Sequence, residues 1–530
     1  MTNKRYGLFL ALAVVIDIAF IFADLSYYEE GADTFIKNTL AGAFTGQPAL
    51  PPFSFGAHFI LSAIYLQFYK LFPSIPWYDI FTLIYSCFAF FLVFTALSLS
   101  SQSRSFLLVF ILGVLLFLDN LFLIEVTRIS LTIALTCSFL LVHGKITLSP
   151  WLRTVVIFGL CLSVFVRIES FILGTALMVP LVFIYPESIK KIISILPAVA
   201  LSLVLMVLLN YDWTERDAEY NDIREFQFVL LDYEVEENTN YSNKKDSIAM
   251  AAAHEFFIND PAVINTALLA KYLPVLDKNP LHLNEYLFKT DFSLQSFKEK
   301  YYRLDFKYIM LWILLGLYIV TLKIHGRISN KLLAFSILYL SILCCIFLFM
   351  KMENRILLPT FTGLFLVIFT HTKIPSWHLV FYLIVLLVFH NLDSSKYKEI
   401  QERYASYMQI ALLESELDTE AILVFDMHGV VWLGRKPFEN IHFKHLLFSL
   451  DNALLFFTPE YKKYADKIFG EVSSSKVYAK FTDQNIYLIG MPPRIQIIHN
   501  YFTQVYGIHA ELFIFEYVDK YNAIYQLKTP

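Results

Sequence analysis

Leu8–Ala23 reads LFLALAVVIDIAFIFA, an apolar run preceded by Lys4 and Arg5. A helix needs about 20 mostly apolar residues to cross a bilayer core, and this run with its flanks is of that length. A cleaved signal peptide would end on small residues, and Phe22-Ala23-Asp24-Leu25 fits that poorly. The stretch therefore reads as a retained first span over 6–24. Similar runs recur at 78–100, 105–119, 126–142, 153–167, 168–186, 192–209, 306–324, 332–350, 356–371 and 376–392. The expected fold is mostly α: a polytopic membrane bundle of about eleven spans. The long runs 105–142 and 151–186 are each split at internal charges. Unbroken helices there would hold Glu125 and Arg128, or Arg167 and Glu169, near mid-bilayer, at about 2.5–3.5 kcal/mol per charge.

Composition agrees. The chain has 530 residues, 57% hydrophobic and 17% charged, with a mean hydropathy of +0.56. Soluble domains carry about 25% charge, so a soluble enzyme and a disordered chain are both excluded. Lys and Arg total 42 against 46 Asp and Glu, a net charge of -4. That balance offers no basic surface for a phosphate backbone and excludes nucleic acid as a partner. Cys87, Cys137, Cys161, Cys344 and Cys345 all lie in apolar runs, with no disulfide or zinc-type spacing.

Basic residues set the orientation. With the N-terminus inside, the cytoplasmic span ends carry Lys4, Arg5, Arg104, Lys145, Arg153, Lys190, Lys191, Lys323, Arg327, Lys331 and Lys373. The outer turns carry only Arg128, Arg167, Lys351 and Arg355. Residues 25–77, the loop 210–305 and everything after Asp393 then lie outside the cytoplasmic membrane. GAHFILSAIYLQFYKLF (56–72) holds His58, Ser62, Gln67, Tyr69 and Lys70 and reads as a helix lying at the interface. The loop 210–305 is too long for a simple connection; it starts acidic and reads helical around 246–257 and 261–273. Residues 393–530 form a separate small α/β domain: an amphipathic helix, then strands at AILVF, VVWLG, KVYAKF, NIYLIG and ELFIFEYV. AILVF and VVWLG, joined by Asp426-Met427-His428-Gly429, read as a hairpin.

Asp24, Glu29, Glu30 and Asp33 place four carboxylates within ten residues, where the first span leaves the membrane. Acids are cheap at a bilayer surface, so they suit a solvated cap; they also suit a general base beside a lipid-borne substrate. Arg128, Arg167 and Arg355 sit at outer span ends, where guanidinium groups can stabilise a leaving phosphate. Snorkelling or pairing with Glu125 and Glu353 is the structural alternative for these arginines. His254-Glu255 has no second His at helical spacing and forms no zinc motif.

The order of these elements resembles the polytopic glycosyltransferases of the GT-C superfamily, notably the protein O-mannosyltransferase and lipid A aminoarabinose transferase branch. The resemblance rests on the acidic cluster after the first span, an amphipathic helix from Tyr28 to Phe44, the Pro51-Pro52 turn and a second interfacial helix into Trp77. It covers roughly 1–210 plus the late turn 351–359. Residue by residue, it puts Glu29-Glu30, or Asp24, at the catalytic acid, and Glu125 at the second outer-loop acid. Arg167 and Arg355 fall at the donor phosphate. The catalytic assignment stays open among Asp24, Glu29, Glu30 and Asp33, and Asp33 with Glu125 is also a candidate acceptor or metal group. It implies a sugar on a polyprenyl phosphate as donor, a glycan, lipid or protein acceptor, membrane lipid as surroundings, and room for a divalent metal ion. No D-x-D metal motif is present, and the paired acids are both Glu. Three other readings are a transporter or flippase of lipid-linked saccharides, a polysaccharide polymerase or ligase, and a non-enzymatic assembly protein. The first predicts charges within spans; the second, paired arginines in the long loop, where Arg216 and Arg224 are present among many acids.

Overall fold

The computed structural model describes residues 3–29, 31–43, 47–50, 59–100, 106–143, 148–216, 239–254, 262–272, 306–326, 328–349, 354–371, 394–414, 421–426, 435–439, 446–449, 480–482, 485–518 and 522–528, with positions 260, 417, 463, 464, 466, 467 and 478. It is mostly helical and divides into two compact units. Unit 1 comprises Met1–Glu29, Asp79–Leu209 and Leu287–Glu399; unit 2 comprises Glu30–Tyr78, Asn210–Tyr286 and Ile400–Pro530. The division does not follow a single boundary near 392/393: Glu30–Tyr78 and Asn210–Tyr286 group with Ile400–Pro530.

Unit 1 begins with α1 (Asn3–Phe22), a two-residue strand β1 (Tyr27–Tyr28) and α4 (Trp77–Ser100), whose first two residues belong to unit 2. It continues with α5 (Phe106–Phe122), β2 (Leu123–Ile124), α6 (Val126–Val142), α7 (Pro150–Val166), α8 (Ile168–Met178), α9 (Leu181–Ile184) and α10 (Ser188–Arg216), and closes with α13 (Phe306–Ile324), α14 (Asn330–Phe349) and α15 (Asn354–His371). Both predicted splits occur, at Leu123–Glu125 and at Arg167. Trp77–Leu99 and Ser188–Leu208 are long and apolar enough to cross a membrane. Among the described residues, eight further apolar helices are shorter, at 10–17 residues. The expected span 376–392 lies outside the described residues.

α6 is the axis of this unit: every residue from Thr127 to Val142 is buried, and α7, α8 and α15 pack around it. A helix buried on all sides has no polar face to give water, which suits its Leu/Ile/Thr/Ser sequence. Gly174 permits the α6–α8 approach, since a Cβ there would stand 2.7 Å from the Ala134 Cβ. Phe90 stacks on Phe94 at 4.6 Å and on Phe117 at 4.7 Å, and Phe94 on Phe9 at 5.6 Å, joining α1, α4 and α5.

Unit 2 holds α2 (Gly31–Ala41), α3 (Phe59–Leu71), α11 (Lys244–His254), α12 (Thr266–Tyr272), most of α16 (Ser394–Glu414), α17 (Pro492–Tyr506) and a five-stranded sheet. The sheet order is β4 (Leu446–Ser449), β3 (Ile422–Phe425), β5 (Ile486–Gly490), β7 (Ala523–Lys528), β6 (Glu511–Tyr517). β4 and β5 flank β3 in parallel, and β7 and β6 complete the sheet antiparallel. The expected strands AILVF, NIYLIG and ELFIFEYV occur, while the described part of KVYAKF forms none. Both edges of β3 are taken by parallel neighbours; VVWLG, the second half of the expected hairpin, lies outside the described residues. Within KVYAKF, Lys480–Thr482 is a 3-10 turn that buries Phe481. At the sheet's centre Gly490 has no room for a side chain, because a Cβ would meet the Asp426 carboxylate at 2.5 Å. That carboxylate accepts from the Met491 N–H at 3.1 Å and is buried. α17 begins on Pro492 and ends on Gly507, whose φ of +67° suits a residue without a Cβ.

α11 packs on α17, and the buried Asp260 carboxylate accepts from the Tyr501 hydroxyl at 2.6 Å and from that of Tyr506. Lys37 on α2 donates to the Lys436 carbonyl at 2.9 Å. These bonds satisfy buried polar groups of the two earlier segments on partners from the C-terminal part, which explains why the segments share one unit.

Candidate functional site

The acidic segment after α1 is held by backbone bonds. The N–H groups of Ala23, Asp24 and Leu25 reach back to the carbonyls of Ala19, Ile21 and Phe20. Asp24 is exposed, with a φ of +59°. A non-glycine residue in the left-handed region costs energy and is common at functional sites. Ser26 Oγ then donates to the Leu121 carbonyl at 2.6 Å. Tyr27 and Tyr28 pair in parallel with Leu123 and Ile124, and Glu29 N donates to the Ile124 carbonyl at 2.9 Å. The Tyr28 hydroxyl donates to Asp79 Oδ1 at 2.7 Å, in the first turn of α4. Tyr397 donates to the Leu25 carbonyl at 3.0 Å, with its ring edge-on to Tyr27 and Phe122.

This two-rung ladder seats Glu29 beside the start of α6. Glu125 is the N-cap of α6 and accepts from the Arg128 backbone N–H. The Arg128 guanidinium donates to Glu29 and, at 3.2 Å, to the Leu123 carbonyl. The side chains of Arg128 and Glu29 are only 1% and 3% exposed. A guanidinium so enclosed serves as counter-ion to buried carboxylates rather than as a cation presented to a ligand. Arg167 differs. It lies at the extended break between α7 and α8, with its side chain 27% exposed. Its guanidinium donates to Thr127 Oγ1 at 2.8 Å and stands 3.7 Å from Glu169. Ser170 Oγ donates to the Thr127 carbonyl at 3.3 Å, fixing the start of α8 against the same turn of α6.

The structure thus brings Glu29, Glu125, Arg128 and Arg167 to one end of the unit 1 bundle, where α1, α5 and α7 end and α6 and α8 begin. Asp24 lies on the same connection. Asp33 belongs to unit 2, in the first turn of α2, and accepts from the Tyr78 hydroxyl at 2.7 Å. Glu30 lies outside the described residues; Arg355 is in the first turn of α15, and its side chain lies outside them. Among the described residues, no group of three or more His, Cys, Asp or Glu is placed to hold a metal ion.

Two participants escape a reading by residue type. Thr127 bridges α6 to Arg167 through a hydroxyl that no motif marks. Asp17, within the first apolar run, is buried on α1 and accepts from Ser86 Oγ on α4 at 3.0 Å. Its one signal in the sequence is a lone acid inside LFLALAVVIDIAFIFA. Protein-family models, curated proteins and solved structures contain no match to this chain.

Proposed function

We propose that the chain is a polytopic membrane glycosyltransferase of the GT-C type, acting at the outer face of the cytoplasmic membrane with inversion. The observation that carries this reading is the seating of Glu29, Glu125, Arg128 and Arg167 at one helix-bundle end, next to the exposed Asp24. The two long apolar helices are consistent with a membrane setting. The donor is a sugar on a polyprenyl phosphate, whose tail stays in lipid while its phosphate meets Arg167. The acceptor is a hydroxyl on a glycan, lipid or protein.

In the reaction an acceptor oxygen forms a bond to the anomeric carbon as the bond from that carbon to the phosphate oxygen breaks. The hydroxyl proton passes to the Asp24 carboxylate, and polyprenyl phosphate leaves with the electron pair, its charge met by Arg167. Glu29, enclosed by Arg128, fixes the loop that carries Asp24. The test is incubation of the full-length protein with a panel of polyprenyl-phosphate sugars, following release of the free carrier. Asp24→Asn is expected to lower turnover by about 10²–10⁴-fold. Arg167→Ala is expected to lower it by about 10²–10³-fold. An Asp24→Asn variant of full activity removes Asp24 from the base role, and no carrier release across the panel counts against the reading as a whole.

A second reading, transport of lipid-linked saccharides, is favoured by one observation: Asp17 lies inside an apolar helix, and ionisable residues within spans mark transport or proton pathways.

A further inference from the structure

Asp17 stands on α1, well inside the apolar run. It is 4% exposed. One oxygen, Oδ1, accepts from the Ser86 hydroxyl at 3.0 Å, and the Cys87 thiol lies against the same carboxyl. The other oxygen, Oδ2, is buried and has no hydrogen-bond partner among the described residues. No Lys, Arg or His among them forms an ion pair with it.

The described residues packed on α1 supply no countercharge. α4 presents Ser86, Cys87 and Phe94; α5 presents Phe106 and Phe122, against Phe9 and Phe20; α7 presents Trp151, against Tyr6. Cys87 and the more distant Tyr6 are the titratable groups among these, and both are neutral when protonated. An ionised carboxyl in this position would be a buried charge with one hydroxyl donor and no cation. A protonated one carries no charge and still accepts from Ser86.

We propose that Asp17 is a proton-binding site in the α1–α4 pair, a carboxyl that holds an exchangeable proton while α1 is seated on α4. The proposal rests on the membrane setting proposed above, with α1 as its first span, and is independent of glycosyl transfer. It gives this helix pair a group whose charge changes when water reaches it, as a proton-linked conformational step requires.

The test is infrared difference spectroscopy on the full chain in phosphatidylcholine nanodiscs, wild type minus Asp17→Asn. A carbonyl stretch of a protonated carboxylic acid is expected at neutral pH in the wild type, absent from the variant and shifted to lower frequency in D2O. Should Asp17→Asn fail to fold, Ser86→Ala provides the second variant: loss of the donor to Oδ1 is expected to shift the same band upward. Dicyclohexylcarbodiimide supplies an independent readout. The carboxyl proton passes to a carbodiimide nitrogen while the carboxyl oxygen bonds to its central carbon, and the adduct rearranges to a stable N-acylurea. Peptide mapping is expected to find Asp17 labelled in preference to the exposed Asp24. Absence of the acid band in the wild type overturns the proposal, as does a band that does not move in D2O. Either result leaves the carrier-release assay, and the glycosyltransferase reading, to stand or fall separately.

Discussion

The Glu29 site of unit 1 and the Asp260 site of unit 2 bury carboxylates in opposite ways. In unit 1, Glu29 is answered by the enclosed Arg128 guanidinium, and Glu125 by the first turn of the helix it caps. In unit 2, Asp260 and Asp33 are answered by tyrosine hydroxyls, from Tyr501 and Tyr506 and from Tyr78. The first solution carries full charge into an apolar bundle and is costly to break from either side. The second places one charge against neutral donors that themselves titrate, so it responds to pH. The acids at these two sites are thus locked in one case and adjustable in the other, according to their partners.

The largest effect is expected at the locked site. Arg128→Ala strands Glu29 without its counter-ion and should destabilise unit 1 by about 3–5 kcal/mol. Reduced yield of folded protein in size-exclusion chromatography checks it, and a Glu29→Leu/Arg128→Met double variant that recovers yield would show that the pair is specific rather than stabilising. Next comes Asp260→Ala, which takes the acceptor from the buried Tyr501 hydroxyl at about 1–3 kcal/mol, while the half-buried Tyr506 hydroxyl can turn to water; a lower midpoint in thermal unfolding reads it. If the two substitutions cost the same, the distinction between the two sites fails.

pH sharpens the contrast. Burial raises the Tyr478, Tyr501 and Tyr506 hydroxyls above the usual 10.0, and the Asp260 carboxylate adds to the last two. The unfolded chain then loses these protons first, so stability contributed by unit 2 should fall as pH rises past about 10. Burial lowers His499, whose Nδ1 faces the Tyr478 hydroxyl at 3.0 Å. Here the unfolded state gains the proton first, so stability should fall as pH drops through about 6.5, and His499→Phe should flatten that limb of a pH–melting series. The smallest effect is expected for Lys271→Met. Its ammonium pairs with Asp246 at 2.8 Å and is raised by that carboxylate, while Asp246 is lowered by Lys271 and Tyr272. The Asp246 contribution is present above the usual 3.8 and lost below it, and the lysine's is lost only above 10.5. The pair is exposed enough that no change in melting midpoint is expected at neutral pH in moderate salt.

Much of this was legible because helices advertise themselves locally. The breaks at Glu125 and Arg167 follow from the cost of charge in an apolar run, and the helices at 31–41 and 59–71 from amphipathic spacing. The acidic cluster was visible, but not which acid would be enclosed: Glu29 and Asp24 are alike in type, and only the β1–β2 ladder seats one inside and leaves the other in solvent. Asp17 leaves little trace in the pattern, because one acid barely changes the mean hydropathy of the run around it.

The sequence by itself determined a helical, strongly apolar chain with a C-terminal α/β region and acids gathered after the first helix, since composition and periodicity depend only on residues near one another. Tertiary structure alone decided that 30–78 and 210–286 join the C-terminal part, that β3 lies between two parallel strands, and that Arg128 faces Glu29 across 99 positions. Those are pairings between distant segments, fixed by which buried polar group can find a partner once the core has closed, and local pattern carries no record of them.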